Sequence, residues 1–247
     1  MPLQMESEYG DNSTTVVVRP EGACQETCEF LLSNGVASTA LPLLNVLYHQ
    51  LPTSLLLHAL GDADVIVATS ANILPVLHRH QAAIASETPV CTVGLKTAHA
   101  LQNYFKRIVV PEHHNSEGIV DVLKKNPDWQ KITLLKGQGG RLAIQQSMAA
   151  IGRIVRPLAL YRRVPNNQIE PSSIRWQYVS RVIVTSVELV GELLSRCPVT
   201  QYPHIQWLVL SERIAASLQE VGIQNIIITD GTDNRAILKA LNNNRLI

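Results

Sequence analysis

The 247-residue chain contains no long run of like charges, and its 21 basic and 20 acidic residues leave a formal net charge of +1. That balance excludes an acidic tail or a basic nucleic-acid arm, so any anion site must be built locally. Long apolar runs are also missing. The most apolar stretch, residues 41–60, is broken by Pro42, Asn45, His49, Gln50, Pro52 and His58, too often for a membrane span. The opening residues lack the basic start and apolar core of a signal peptide, so residues 1–14 are expected to be a flexible polar tail on a cytoplasmic protein. Cysteine is scarce. Cys24 and Cys28 share one face of an expected helix, but with Cys91 and Cys197 they show no paired ligand spacing, so reduced thiols and no metal are expected. Neither a Gly-x-Gly-x-x-Gly loop, nor a P-loop ending, nor a Gly-x-Ser-x-Gly elbow occurs.

What is present is a well-filled core, with 46% hydrophobic and 17% charged residues. Its organising stretch is residues 132–163. The run Ile132-Thr133-Leu134-Leu135 reads as a buried strand, Gly137, Gly139 and Gly140 as a turn, Leu142 to Ile151 as a helix ended by Gly152, and Ile154 to Tyr161 as a second strand. Shifted by 117 positions, Ile132 falls on Thr15, Gly139 on Gly22, Gly152 on Gly35 and Leu158 on Leu41. The same offset joins Val182 to Val65 and Ala215 to Ala98. Strands alternating with helices in a repeat of about half the chain imply an α/β protein from an internal duplication, with parallel sheets built of βαβ units. Leu43 to Leu60 is expected to be helical in part, with a helix start near Thr53 or Ser54.

In open parallel sheets the turns after the strands line one edge, and ligands bind there. Here those turns carry Ser70 with Ala71 and Asn72, Gly94 with Lys96 and Thr97, Gly137 to Arg141, Ser186, and Ser211 with Arg213. Two readings stay open for the hydroxyl residues: they cap the helix that follows, or the free amides beyond the cap also hold a ligand carboxylate or phosphate. The glycine turn suits a backbone approach to an anion, with Arg141 reaching in. Tyr161 aligns with Leu44 and so stands once, as an asymmetric catalytic group would. The alternative is an edge-strand tyrosine with its hydroxyl in water.

The ordered set Val18-Arg19-Pro20-Glu21-Gly22, Thr69-Ser70-Ala71-Asn72, Val93-Gly94-Leu95-Lys96-Thr97-Ala98, Ser116-Glu117-Gly118, Lys136-Gly137-Gln138-Gly139-Gly140-Arg141, Leu160-Tyr161-Arg162-Arg163, Thr185-Ser186 and Ser211-Glu212-Arg213-Ile214-Ala215 resembles the uroporphyrinogen-III synthases, from about Thr15 to Leu241. The resemblance implies two α/β domains, each a parallel sheet flanked by helices, joined by two extended linkers. Residues 15–42 and 168–247 would form a discontinuous domain, with strand Thr15 to Arg19 in the sheet of Val182 to Thr185. Residues 43–167 would form the inserted domain, including linker, with linkers near residues 40–44 and 160–169 and Tyr161 beside an interdomain cleft.

The resemblance further implies closure of hydroxymethylbilane to uroporphyrinogen III, with loss of water and inversion of ring D, without cofactor or metal. Tyr161 would be the catalytic proton donor. Arg19, Ser70, Ala71, Asn72, Gly94, Lys96, Thr97, Gly137, Gly139, Arg141, Ser186, Ser211 and Arg213 would bind substrate. No nucleic-acid or membrane partner is implied; the protein would be a monomer, with the upstream hydroxymethylbilane synthase as a candidate partner. The competing reading is a non-catalytic two-domain binding protein for a small polyanion. A third, a nucleotide-dependent α/β enzyme, predicts a thermal shift with ATP or NAD.

Overall fold

The computed structural model describes residues 14–81 and 87–243. The expected tail thus lies, but for Thr14, outside the described residues. The first half of the chain supplies β1 (Thr14–Val18), α1 (Glu21–Ser33), β2 (Ser38–Ala40), β3 (Leu44–Tyr48), α2 (Thr53–Gly61), β4 (Val65–Ala68), α3 (Leu74–Arg79), β5 (Val90–Thr92), α4 (Leu95–Leu101), β6 (Ile108–Val109) and α5 (Ser116–Lys124). The second supplies β7 (Lys131–Gly137), α6 (Ala143–Ala149), β8 (Ile154–Pro165), β9 (Val179–Val184), α7 (Val187–Arg196), β10 (Gln206–Val209), α8 (Glu212–Gln219), β11 (Ile226–Ile228) and α9 (Asn234–Asn243).

Strand sequences here are apolar at consecutive positions because both faces of each sheet are covered. In β1, Val16 and Val18 enter one core with Val182, Val184 and Trp207, while Val17 enters another with Ile183, Leu208 and Leu31 of α1. The second sheet divides in the same way. Ile66, Ala68 and Leu135 face one side, and Val65, Val67, Ile132 and Leu134 face the other. Each fully buried Val or Ile contributes about 1.5–3 kcal/mol relative to exposure, so a polar substitution in the middle of either run would be felt on both sides of the sheet.

The five-stranded sheet has the order β11-β10-β9-β1-β2, and the six-stranded sheet β3-β8-β7-β4-β5-β6. Read from its other end, the second sheet places the sequence counterpart of every strand of the first in the same position, and adds β3 at one edge. Val16 pairs with Val182 and Val17 with Ile183, so the first strand of the chain lies parallel beside β9. Helix ends repeat too. Gly35 and Gly152 adopt φ of 77° and 78°, a left-handed conformation that costs glycine little, and the next amides, of Val36 and Arg153, donate back to the carbonyls of Leu31 and Met148.

The molecule divides into two compact units: the chain up to Asn45 together with Val164 onward, and Val46–Arg163. The chain passes between them in β3 and in β8. The helix expected in part of residues 43–60 begins at Thr53, and residues 44–48 before it form a strand. The cause is pairing. His49 N donates to Leu160 O at 2.9 Å and Asn166 N to Leu43 O at 2.8 Å, six residues forward on one strand against six back on the other, which makes β3 antiparallel to β8. The same partner carries β8 past Tyr161 to Pro165.

Candidate active site

In unit Val46–Arg163 the turns after β4, β5, β6 and β7 lie at the carboxyl ends of parallel strands, along one edge of the sheet. Ser70 precedes a single 3-10 turn, Ala71–Ile73, and its Oγ accepts from Asn72 N at 3.2 Å. Ala71 and Asn72 are half-buried there. Gly94 leads into α4 with an extended backbone, and the side chain of His114 packs 3.4 Å from where a Cβ would stand on it. Lys96 is exposed in the first turn of α4, whereas Thr97 is buried beside Ala98.

Beyond β7, Gly139 and Gly140 take φ of 73° and 78° with open space around them, so their conformation rather than their size requires glycine. Arg141 extends from this turn to Glu117, with Nη2 donating to Oε1 at 2.5 Å and Nη1 to Oε2 at 3.4 Å. Both side chains are about half exposed, at 49% and 55%, so the pair is worth at most about 1 kcal/mol. Burial lowers the pKa of the neighbouring Lys136, whose Nζ lies 3.5 Å from the Arg141 carbonyl.

Tyr161 is placed by an irregularity in the sheet. Lys136 pairs with Ala159, but the next residue, Gly137, pairs with Tyr161, so Leu160 is one residue too many on β8. Such a bulge re-aims the side chain that follows it. Here both Leu160 and Tyr161 turn into the same core layer, and Tyr161 is only 5% exposed. Its ring lies directly against Gly137: a Cβ at that glycine would stand 2.7 Å from Cε2 and Cζ and 3.0 Å from the hydroxyl. Gln138 N donates to the Tyr161 carbonyl at 2.7 Å, tying the glycine turn to the same residue.

The other unit carries the matching edge. Ser186 caps α7, its Oγ accepting from Leu189 N at 3.2 Å, whereas Ser211 stands at the start of α8 without a capping bond. Arg213 is exposed one residue into that helix's first turn. Arg19, after β1, donates through Nη1 to Thr27 Oγ1 at 2.6 Å and Asn234 Oδ1 at 2.9 Å. Burial is the main influence on its guanidinium and lowers its pKa, with Glu26 opposing. Arg19 thus ties α1 to the start of α9.

These turns and a placed phenol suit a polyanionic substrate and a proton transfer, and the sequence comparisons name a family. The family profile described as Uroporphyrinogen-III synthase HemD matches residues 25–239. A curated uroporphyrinogen-III synthase of Escherichia coli (strain K12) is 30% identical, over 92% of this chain and 98% of that protein.

The chain belongs to the uroporphyrinogen-III synthase family.

A second synthase of the family, from Salmonella typhimurium, is 28% identical over 92% of this chain and 98% of its own. Among solved structures, a uroporphyrinogen-III synthetase from Helicobacter pylori 26695 matches with a TM-score of 0.62 at 14% identity, and a mutant uroporphyrinogen III synthase from Thermus thermophilus with 0.60 at 16%. Each covers 94% of this chain and the whole of the other, so the fold is that of the synthases.

Several residues at these edges escaped the sequence reading. Tyr48 lies beside Tyr161, Glu117 holds Arg141, and Asn234 holds Arg19. For Tyr48 a signal existed, since Val46 and Tyr48 keep strand spacing and both pack on the layer that holds Tyr161. Nothing local in the sequence marks Glu117 or Asn234 as partners of arginines 24 and 215 positions away.

Proposed function

We propose that this chain is a cyclising lyase that closes hydroxymethylbilane to uroporphyrinogen III, with Tyr161 donating the proton that lets the terminal hydroxyl leave. The observation that carries this is the phenol itself, turned by the bulge at Leu160 and seated over Gly137 at the head of the glycine turn, in a member of this family. Protonation of the hydroxyl breaks the carbon–oxygen bond and releases water. The cation left on the substrate is then attacked by the substituted carbon of ring D. The resulting spiro centre reopens, ring D closes the macrocycle in inverted orientation, and the last proton is lost from carbon.

Because the bilane also closes unaided to the uninverted isomer, the protein's main work is to hold the conformation that leads to attack at the substituted carbon. Its eight carboxylates would be met by amides at the starts of helices and turns: the segment after Ser70, Gly94 with Lys96 and Thr97, the turn Gly137 to Arg141, and, in the other unit, Arg19, Ser186, Ser211 and Arg213. The two compact units would be the two domains of the family, products of one duplication joined by the extended segments around residues 40–44 and 160–169. We further propose a cytoplasmic monomer supplied by the preceding hydroxymethylbilane synthase. No helix among the described residues is long and apolar enough to cross a membrane.

The test is product identity. Added to fresh hydroxymethylbilane, the protein should speed closure and switch the product from isomer I to isomer III. Tyr161→Phe should slow closure by about 10²–10⁴-fold while leaving the enzymatic product as isomer III. Isomer I alone, at the rate without protein, would end this reading, and saturable binding with no faster closure would replace it with a polyanion-binding protein.

A further inference from the structure

Proton donation leaves the electron pair of the broken O–H bond on Tyr161 Oη, inside a layer made mostly of Leu, Ile and Val. An oxyanion there is costly unless nearby dipoles or charges balance it. The antiparallel register of β3 on β8 puts Tyr48 directly across from Tyr161, and both rings belong to the same core layer. On Tyr48 in turn sits Arg79, at the end of α3, with its guanidinium carbon 5.9 Å from the ring centroid, inside the range of a cation–π contact. Arg79 Nη1 also approaches the carbonyl of His49 at 3.5 Å, which keeps the cation beside β3.

We propose that Tyr48 and Arg79 are positioning residues for Tyr161, forming with it a row of phenol, phenol and guanidinium that stabilises the negative charge left on Tyr161 as its proton departs. The inference rests on the reading of Tyr161 as the proton donor. In the step itself the Tyr161 O–H bond breaks, its proton goes to the substrate hydroxyl, the carbon–oxygen bond breaks and water leaves. The hydroxyl dipole of Tyr48 and the charge of Arg79 oppose the new anion until a proton lost from substrate carbon restores the phenol. The electrostatics of Tyr48 in the free protein agree: burial pushes its phenol up, Tyr161 adds to the rise, and Arg79 opposes it.

A double-mutant cycle decides. Tyr48→Phe and Arg79→Gln are each made alone and together with Tyr161→Phe, and cyclisation of hydroxymethylbilane is followed as kcat, KM and isomer ratio, with thermal unfolding of every variant. Each single change should lower kcat about tenfold, equivalent to about 1.4 kcal/mol in the barrier, with KM and the fraction of isomer III unchanged. Beside Tyr161→Phe, which keeps the ring but has no anion to stabilise, the same changes should cost less than about twofold. Equal losses in both backgrounds would mean packing alone, and no loss in either would mean no role; both overturn the proposal. Should Tyr48→Phe fail to fold, the exposed Arg79→Gln carries the test. If Tyr161→Phe itself retains full activity, the proton-donor reading has failed, and that outcome is visible without the Tyr48 arm.

Discussion

Gly137→Ala replaces a hydrogen by a methyl group, at the point where the Tyr161 ring rests. The new Cβ would start 2.7 Å from Cε2 and Cζ and 3.0 Å from the hydroxyl, against ordinary contact beginning at 3.4 Å, so ring or strand must give by about 0.7 Å. The backbone offers no objection, since Gly137 does not adopt a positive φ, and in a strand alanine gains roughly 0.5–1 kcal/mol over glycine from the unfolded chain. Overpacking costs about 1–3 kcal/mol, so the net effect should be a loss of roughly 0.5–2 kcal/mol in urea unfolding. A displaced phenol should cost far more in rate: a misplacement approaching 1 Å is worth up to about 10²-fold, so kcat should fall by about 10–10²-fold with KM little changed. The control is the same substitution beside Tyr161→Ala, where the methyl group has room and the stability cost should vanish. If Gly137→Ala raises KM and spares kcat, Gly137 serves the substrate through its backbone and not Tyr161. If it destabilises equally without the tyrosine, the contact is not the cause.

The two serine starts should differ. Ser186→Ala removes an acceptor for Leu189 N and should cost about 1 kcal/mol, whereas Ser211→Ala, which breaks no capping bond, should cost clearly less; equal costs in urea unfolding would contradict this. Cys28 should be the thiol that iodoacetamide modifies first, with a midpoint below that of an ordinary thiol, because its interaction with Cys24 lowers its pKa against the effect of burial. Cys24→Ala should move that midpoint upward, and a midpoint that stays put would mean another cause.

The layered α/β architecture was legible because parallel sheets covered on both faces leave unbroken apolar runs such as Val16 to Val18, and because left-handed helix ends demand residues such as Gly35 and Gly152. The pairing of β1 with β9 was legible only through the family resemblance, since nothing local in Thr15 to Val18 names a partner 166 positions on. The helix start at Thr53 was legible, but the strand at residues 44–48 was not, because a short apolar segment is strand or helix according to what lies beside it, and β8 is remote in sequence. Edge placement of the turns could be read from strand order, but which side chains remain free could not. Thr97 is buried, and in the free protein the side chains of Arg141 and Arg19 are held by Glu117, Thr27 and Asn234, outcomes decided by packing between helices. The bulge at Leu160 leaves no mark in the sequence at all.

The parallel seat of β1 between β2 and β9 also orders events as the chain is made. Val16 and Val182 are neighbours in the sheet but 166 residues apart in the chain. After β1 and β2 leave the ribosome, their sheet has to wait for β9, with Val16 and Val18 bare on one face, until the more than 130 residues between β2 and β9 have been synthesised. The unit Val46–Arg163 is complete before β9 exists and pairs its parallel strands over shorter spans. Folded first, the 118 residues of this unit (163 − 46 + 1) no longer count as loose chain between β1 and β9, lowering the entropy lost when those strands finally meet. The interrupted unit is therefore the late one, and its earliest-made strand is the one longest at risk of pairing with the wrong edge.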